Sequence, residues 1–549
     1  MTAPITMPDS SPASPAGTFA PLRHRVFAVI WAAIVLGNIG TFMRDVTSAW
    51  LVTDLSSSPA AVAMIQAAGT LPFFLIAIPA GVLSDILDRR RFLIGTQVCL
   101  AIVSTLLAFL AWTGTVSVAS IVTLTFLGGM GTALAAPAWQ AVVPELVPRT
   151  DIKGAVALSL LGINVARSIG PALGGFLLAA LGAAAVYGNA VLSYVLVIGA
   201  LLWWRRDRDA DEGLQEHFGG ALRAGLRHAR ANRELHRVLW RAAVFFAFAS
   251  AVWALLPIVA RQEIGGGPGF YGLTLGGIGA GAIVGALLLP RVRDCLGQDG
   301  LVLAASLVTS AATVLLALTD WEVLGIGATF VLGSAWIAML TTLNSTAQGI
   351  LPNWVRGRGL AIYLTVFNGA MAAGSLGWGF VAQTVGTDAA LLIAGAGLAV
   401  VAGVAYRAAL PSGEGDLTPS LHWPEPAVAE PVAHNRGPVM IMVTYRIRQL
   451  DRPAFLAVLG RLSEERHGDG AYAWGVSEDA ADPERVVEWF FVESWAEHLR
   501  QHRRVSMADA SIQAEVRRFH QGPEQPMVQH LLALDPRRAR RPVTGEGVS

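Results

Sequence analysis

The sequence predicts an all-α polytopic membrane protein, with 12 TM helices in two pseudo-symmetric six-helix bundles, followed by a C-terminal α+β domain. Three observations predict it. Of 549 residues, 54% are hydrophobic and only 14% charged, with a mean hydropathy of +0.52, where a soluble chain carries about a quarter charged residues. Apolar runs long enough to cross a bilayer, about 20 residues each, recur along most of the chain. After Arg407 the composition changes abruptly to a Pro-rich stretch and then a charged one. A net charge of +1 gives no sign of a nucleic-acid partner. Cys99 and Cys295 fall in or beside apolar runs and read as packing residues.

Taken in order, residues 1–22 are Ser/Pro/Ala-rich and read as disordered, and no cleavage site follows Arg23-His24-Arg25, so the first apolar run stays as a helix. Spans are expected at 26–54, 60–82, 92–112, 117–143, 154–180 and 184–204, and again at 238–261, 271–290, 300–318, 323–350, 360–384 and 389–410. The basic residues test this count. Loops assigned to the inside carry Arg89 to Arg91, Arg149, Lys153, Arg205, Arg206, Arg291, Arg293, Arg356 and Arg358, while the outer loops carry only Arg261, as the positive-inside rule asks. Both termini are then cytoplasmic, and the protein is expected in a bacterial-type inner membrane.

The halves, 23–204 and 238–410, repeat one another. Gln140-Ala-Val-Val-Pro144 returns as Gln348-Gly-Ile-Leu-Pro352, and Asn164, Gly170, Gly175 and Phe176 return as Asn368, Gly374, Gly379 and Phe380. Duplicated halves are a common build for transporters. The basic connector 205–237 reads as an amphipathic helix on the inner surface.

Between the second and third spans stands Gly81-Val82-Leu83-Ser84-Asp85-Ile86-Leu87-Asp88-Arg89-Arg90-Arg91, a tight charged hairpin. It resembles the signature hairpin of the Major Facilitator Superfamily at Gly81, Leu83, Ser84, Asp85, Arg89, Arg90 and Arg91. Ile86 replaces a usual basic residue and Asp88 a usual glycine. The Asp-x-x-Asp-Arg-Arg form, together with Pro137-Ala-Trp-Gln140 and Arg356-Gly-Arg358-Gly359, is similar to the subgroup of the enterobactin exporter and related secretion proteins. That resemblance implies small-molecule transport by rocking of two halves. It also implies that Asp85 sits against the start of the eleventh span, near Arg356, as a latch that favours the outward-open state. Gly170-Pro171-Ala172-Leu173-Gly174-Gly175 resembles part of the motif associated with exporters and antiporters, where glycines permit close helix approach and proline removes a backbone hydrogen bond.

An intramembrane charge is expensive unless paired or wetted, so ionisable residues in the spans are functional candidates. Asp45 is the best candidate for a proton site; burial would raise its pKa and a nearby Arg167 would lower it again. Arg44 stands beside it, and Arg241 opens the seventh span. Asn164 and Arg167 share a helix face suited to an anionic or catechol-like substrate. Gln66, Gln97, Gln140, Asn344, Gln348 and Asn368 supply cavity polarity, with Trp139 and Trp336 as stacking surfaces. The segment Leu124 to Gly131 lacks the arginine that many proton-coupled antiporters of the superfamily carry there.

The linker 411–438 leads to a domain at 439–535 and a disordered tail at 536–549. Val439, Ile441, Val443, Tyr445 and Ile447 alternate with Met440, Met442, Thr444 and Arg446 as in a strand. Asp451 caps a helix bearing Phe455, Leu459 and Leu462. Strands follow at 471–477 and 485–493, Ser494-Trp-Ala-Glu497 opens a second helix as a capping box, and a last strand covers 527–534. The β-α-β-β-α-β order predicts a ferredoxin-like sandwich, and the domain resembles antibiotic-biosynthesis-monooxygenase-like domains, which pair as homodimers. Trp474, Trp489 and Trp495 fill its core or an interface. His498 and His502 share a helix face, but no third ligand is evident, so no metal is assigned. No cofactor and no catalysis are expected. The implied partners are the lipid bilayer, a small-molecule substrate, a proton and a second copy of the tail domain. The alternative is a transporter-like scaffold whose tail is an enzyme or ligand sensor.

Overall fold

The computed structural model describes residues 19–204, 229–230, 232–352, 355–407, 409–411, 428–430, 432–433, 436–505, 507–522 and 524–534; a few side chains within these, Asp85 among them, lie outside the description. Most of 1–22, the connector, the linker and the tail therefore fall outside it. The end of the first segment differs from the expected disorder, since Ala20–Arg23 forms a 3-10 turn with Pro21 buried.

Eleven helices among the described residues are long and apolar enough to cross a membrane. They are α1 (Arg25–Leu55), α2 (Pro59–Ile86), α3 (Arg89–Thr113), α4 (Val118–Val142), α5 (Ile152–Leu181), α6 (Ala183–Trp203), α7 (Arg233–Ile258), α8 (Pro268–Leu318), α9 (Glu322–Gly349), α10 (Arg356–Val385) and α11 (Thr387–Tyr406). The expected eighth and ninth spans run together in α8. That element has 51 residues and one residue of non-helical geometry, Gly297, at φ 66° and ψ −178°. At 1.5 Å per residue it is more than twice as long as a hydrocarbon core of about 30 Å is thick.

Local chemistry sets several boundaries. Ser58, ahead of Pro59, accepts from the Ala61 amide, Ser117 and Ser120 form a reciprocal capping box before α4, and Asp88 accepts from the Arg91 amide to start α3; each satisfies a donor that the first helical turn leaves open. Gly182 and Gly386, 204 positions apart, turn the chain between α5 and α6 and between α10 and α11 with φ of 79° and 93°, a region costly for any residue with a Cβ.

The internal repeat recurs in the packing. A Cβ on Gly170 would lie 3.2 Å from the Ile39 carbonyl oxygen, and one on Gly374 would lie 2.4 Å from that of Ala247. The side-chain amides of Asn164 and Asn368 each donate to the carbonyl four residues earlier, Leu160 at 2.9 Å and Leu364 at 2.8 Å. One large apolar cluster draws on both halves: Val46, Trp50, Val62, Leu178, Leu255, Phe270, Leu316 and Leu391 are among its members. These residues lie toward the Leu55–Pro59 end. At the opposite end a second cluster, including Phe27, Leu93, Val142, Leu158 and Leu201, takes all its buried members from the first half. Cys99 and Cys295 are exposed rather than packed, because each sits on a helix face turned away from its neighbours.

The C-terminal part of the chain carries a small sheet. Its elements are β1 (Val439–Arg446), α12 (Arg452–Gly468), β2 (Ala473–Glu478), β3 (Arg485–Val492), α13 (Trp495–Arg504), α14 (Met507–Arg517) and β4 (Met527–Leu532). The sheet order is β2-β3-β1-β4, with antiparallel neighbours throughout. The expected alternation holds: Val439, Ile441, Val443 and Tyr445 are buried against Phe455, Leu459 and Leu462 of α12. Two local expectations are corrected. Asp451 holds the cap position of α12 without a cap hydrogen bond, its carboxylate being taken by Arg448 at 2.8 Å. Two helices, α13 and α14, stand where the sequence reading placed one.

Candidate functional site

The charged centre of the membrane unit is built on α1. Arg44 is buried, and its Nε and Nη2 both donate to one oxygen of Asp45, at 3.0 and 2.7 Å. Arg44 keeps only 3% of its side chain exposed and Asp45 keeps 46%, so the pair joins a sealed cation to a carboxylate with an open flank. The charge near Asp45 is that of Arg44 and not the Arg167 weighed from the sequence. Sequence neighbours on a helix point about 100° apart, yet the long arginine arm folds back to the carboxylate. Arg44 Nη1 also donates to the Tyr194 hydroxyl at 3.3 Å, Thr41 and Tyr194 share a hydrogen bond of 2.9 Å, and Ser48 and Tyr187 one of 3.1 Å. The two tyrosines come from α6.

The position on α4 where an arginine is missing has a structural counterpart. A Cβ on Gly128 would lie 2.9 Å from Arg44 Nη1 and 3.2 Å from Cζ, so the guanidinium of α1 lies directly against the glycine backbone of α4. The signal was present in the sequence as Arg44 on one helix and Gly128-Gly129-Met-Gly131 on another, but only packing sets the two side by side.

Arg167 lies apart from this pair. Its guanidinium carbon is 6.0 Å from the Phe42 ring centroid, a cation–π distance, and among the described residues no carboxylate pairs with it. Gln66 and Asn344 are half-buried, Gln97 and Asn368 buried, and Gln140 and Gln348 exposed. Trp336 offers no free stacking face. It is buried among Phe245, Phe246, Trp253 and Phe367, with centroids 4.4 to 6.5 Å apart across the cluster, because its position on α9 points into the second half's own core. Arg241 is likewise structural in its contacts, donating to Asp299 at 3.0 Å and to the Ala405 carbonyl at 2.7 Å.

The glycine motif is a packing surface. A Cβ on Gly174 would meet Met43 Cα at 2.9 Å, and one on Gly175 would meet the Pro268 carbonyl oxygen at 2.5 Å and Gly272 Cα at 2.9 Å. Gly170 and Gly174 thus bring α5 onto α1, and Gly175, with the Pro171 carbonyl against Gly272, brings it onto α8 of the other half. Further contacts between halves gather at the same end: Arg261 bonds Asp54 and, at 3.1 Å, Thr53, Trp50 stacks on Tyr271 with centroids 5.9 Å apart, and Ser58 donates to Gln383 at 2.6 Å.

The hairpin residues have local duties. Asp88, expected in gating, is the cap of α3. Arg89 pairs with Glu145 at 2.5 Å, and Arg90 donates to the Leu201 and Leu202 carbonyls at the end of α6, where the helix leaves acceptors unfilled. Arg91 is exposed, and Gly81 has open space where a Cβ would stand. Asp85 lies on the last turn of α2, and its side chain is outside the described residues. Arg356 Nε donates to the Leu351 carbonyl at 3.3 Å, and Arg358 is half-buried.

A family model described as transmembrane secretion effector matches residues 16–538. The chain belongs to the transmembrane secretion effector family. Members of this Major Facilitator family are multi-pass transporters, and the helices above agree with that. Macrolide efflux protein A of Streptococcus pyogenes is 24% identical over 48% of the chain and 65% of its own length, so the chain spans about two thirds of that relative. The staphyloferrin A transporter of Staphylococcus aureus is 22% identical over 62% of the chain and 85% of its own length. Among solved structures, the nucleoside transporter NupG has a TM-score of 0.58 at 12% identity, covering 70% of the chain and 99% of its own. A bacterial homologue of the transporter Spinster, inward-facing and unoccupied, has a TM-score of 0.55 at 13% identity, covering 70% and 96%. These likenesses are of fold.

In the C-terminal domain of this family member, Glu488 is fully buried and held on three sides: Tyr445 donates to it at 3.0 Å, Trp474 at 3.1 Å and Arg466 at 3.2 Å, and Arg466 lies 4.7 Å over the Phe490 ring. Burial, with the Glu488 charge behind it, pushes the Tyr445 hydroxyl well above its ordinary pKa. The histidine pair gains what the sequence reading lacked. His530 of β4 joins His498 and His502, with one ring nitrogen from each within 4.8 Å of the others. Burial, then the neighbouring His502 and His530, lower the His498 pKa to about 3, and burial lowers that of His530.

Proposed function

We propose that this chain is a secondary exporter that moves small molecules, siderophore-like or drug-like, across the inner membrane by alternating access, coupled to protons through Asp45. The observation that carries the reading is the Arg44–Asp45 pair: a carboxylate with an open flank, tied to a buried arginine, changes the charge of a sealed network when it takes a proton. A relative named for macrolide efflux supports outward movement, and one named as a staphyloferrin A transporter supports a small-molecule cargo. Arg167, half-buried and without a carboxylate partner among the described residues, suits the anionic part of such a substrate, with Asn164 on the same face.

The element α8 is read as two crossings broken at Gly297, which gives twelve, and keeps the basic stretch around Arg291 and Arg293 on the same side as Arg90. With that side inside, the Leu55–Pro59 end faces outward, and the shared core there describes a state closed to the outside. The domain at 439–535 is a ferredoxin-like sandwich on its strand order, and its exposed sheet face suits pairing with a second copy.

The test is transport in everted vesicles with an imposed pH gradient, using a macrolide and staphyloferrin A as probes. Gradient-driven movement of either supports the reading. Absence of transport of any compound that accumulates in a deletion strain would remove it.

A further inference from the structure

We propose that His498, His502 and His530 form a three-imidazole site for a borderline divalent cation of the zinc and copper class. His498 and His502 lie four apart on α13 and so share one face. His530 stands opposite Ile441 in the sheet register, on the strand face that carries the buried residues of β1, so it rises toward α13. The Nε2 atoms of His498 and His502 are 3.2 Å apart. Two imidazole nitrogens bound at about 2.0–2.1 Å and a tetrahedral angle stand about 3.3 Å apart, so that pair needs little adjustment to share an ion. The third ring is near: the centroids of His498 and His530 are 4.6 Å apart.

The ligand set selects the metal. Three neutral nitrogens without thiolate or carboxylate suit zinc, copper or nickel and disfavour calcium or magnesium. Three protein ligands leave a fourth position for water or a small anion, as in open zinc sites. The second layer is also in place. Nδ1 of His498 and both polar atoms of the Gln501 side chain are buried without a well-formed hydrogen bond, and ligation through Nε2 would put the proton on Nδ1, where the Gln501 oxygen can accept it; metal-bound histidines usually have such a partner. Trp495, 5.4 Å from His498 and 6.1 Å from His530 between centroids, walls one side. The site joins α13 to β4, two elements that close the domain late in the chain.

The experiment uses the full chain in detergent, without a polyhistidine tag and with Cys99→Ser and Cys295→Ser, since both thiols are exposed and would compete for metal. After chelator treatment, Co2+ is titrated alone. The expected result is one equivalent per chain, a visible absorption band of four-coordinate cobalt without thiolate charge transfer, and displacement by Zn2+. His502→Gln and His530→Gln, both at half-buried positions, should each weaken binding by at least about tenfold while the chain keeps its elution volume and circular dichroism. A second readout does not depend on variant folding: Zn2+ should protect His502 and His530 of the wild-type chain from diethylpyrocarbonate. Absence of stoichiometric uptake at micromolar metal overturns the proposal, as does uptake unchanged in both variants, or unprotected histidines; the His498–His502 contact is then an N–H···N hydrogen bond only.

Discussion

Asp45→Asn keeps the size and shape of the side chain and removes its charge and its titration. In the wild type two arginine donors meet one carboxylate oxygen at 3.0 and 2.7 Å. A hydrogen bond to a charged partner is worth about 1.5–3 kcal/mol and a neutral one about 0.5–1.5, so two bonds lose roughly 2–3 kcal/mol. The carboxylate is 46% exposed, and screening by water reduces that to about 1–2 kcal/mol. Arg44 stays bonded to Tyr194, which limits the loss further. The variant should therefore insert and fold, with a thermal midpoint a few degrees lower in detergent. Transport should suffer far more than stability: efflux driven by an imposed pH gradient should fall at least tenfold, while exchange of labelled for unlabelled substrate, which needs no net proton movement, should survive. Asp45→Glu should restore part of the gradient-driven rate. Wild-type efflux with unchanged gradient dependence in the Asn variant would refute the role assigned to Asp45, and equal loss of both modes would reduce the pair to a structural tie.

Four other perturbations follow from the packing and the caps. Gly175→Leu places side-chain atoms where even a Cβ stands 2.5 Å from the Pro268 carbonyl oxygen; backbone cannot move aside as a side chain can, so α5 and α8 must separate, at about 1–3 kcal/mol or more, and efflux should fall with the protein still in the membrane on a blot. Arg261→Gln removes a partly exposed ion pair worth at most about 1 kcal/mol, so stability should hardly change, but maleimide labelling of Ser58→Cys in a background of Cys99→Ser and Cys295→Ser should speed up as that end opens more often. Asp88→Ala should destabilise the start of α3 by about 1 kcal/mol, with Asp88→Asn close to wild type, since amide oxygen also caps; equal effects of the two in thermal denaturation would contradict the cap. Glu488→Ala removes the buried acceptor of Tyr445, Trp474 and Arg466, with Asp469 still near Arg466, and should cost about 3 kcal/mol, read as early loss of near-ultraviolet dichroism on heating.

The sequence by itself determined the membrane class, nearly all span positions, the duplication and the strand alternation of the tail. Each depends on periodicity or composition within a short window. Hydropathy over about 20 residues reports a crossing wherever it lies, and Val439, Ile441, Val443 and Tyr445 report a buried face before any partner strand is known. Repeats such as Gly170 and Gly374 are visible as letters, and the close helix approach at each follows from the missing side chain. The hairpin was legible as a motif, but the cap that Asp88 forms on α3 is a local duty the motif does not announce.

Tertiary structure decided which residues meet. Asp45 pairs with its neighbour Arg44 rather than with Arg167, because Arg44 is anchored between Gly128 of α4 and Tyr194 of α6, contacts between segments about 80 and 150 positions away. Trp336, available on paper as a stacking surface, is spent inside an aromatic cluster. The two histidines on α13 find a third on a strand 28 residues beyond His502, since the sheet order puts β4 beside β1 under that helix. Short-range pattern is written in the chain because it is enforced locally; a site is made by side chains from distant segments, and their coincidence is set only when the helices and the sheet have packed.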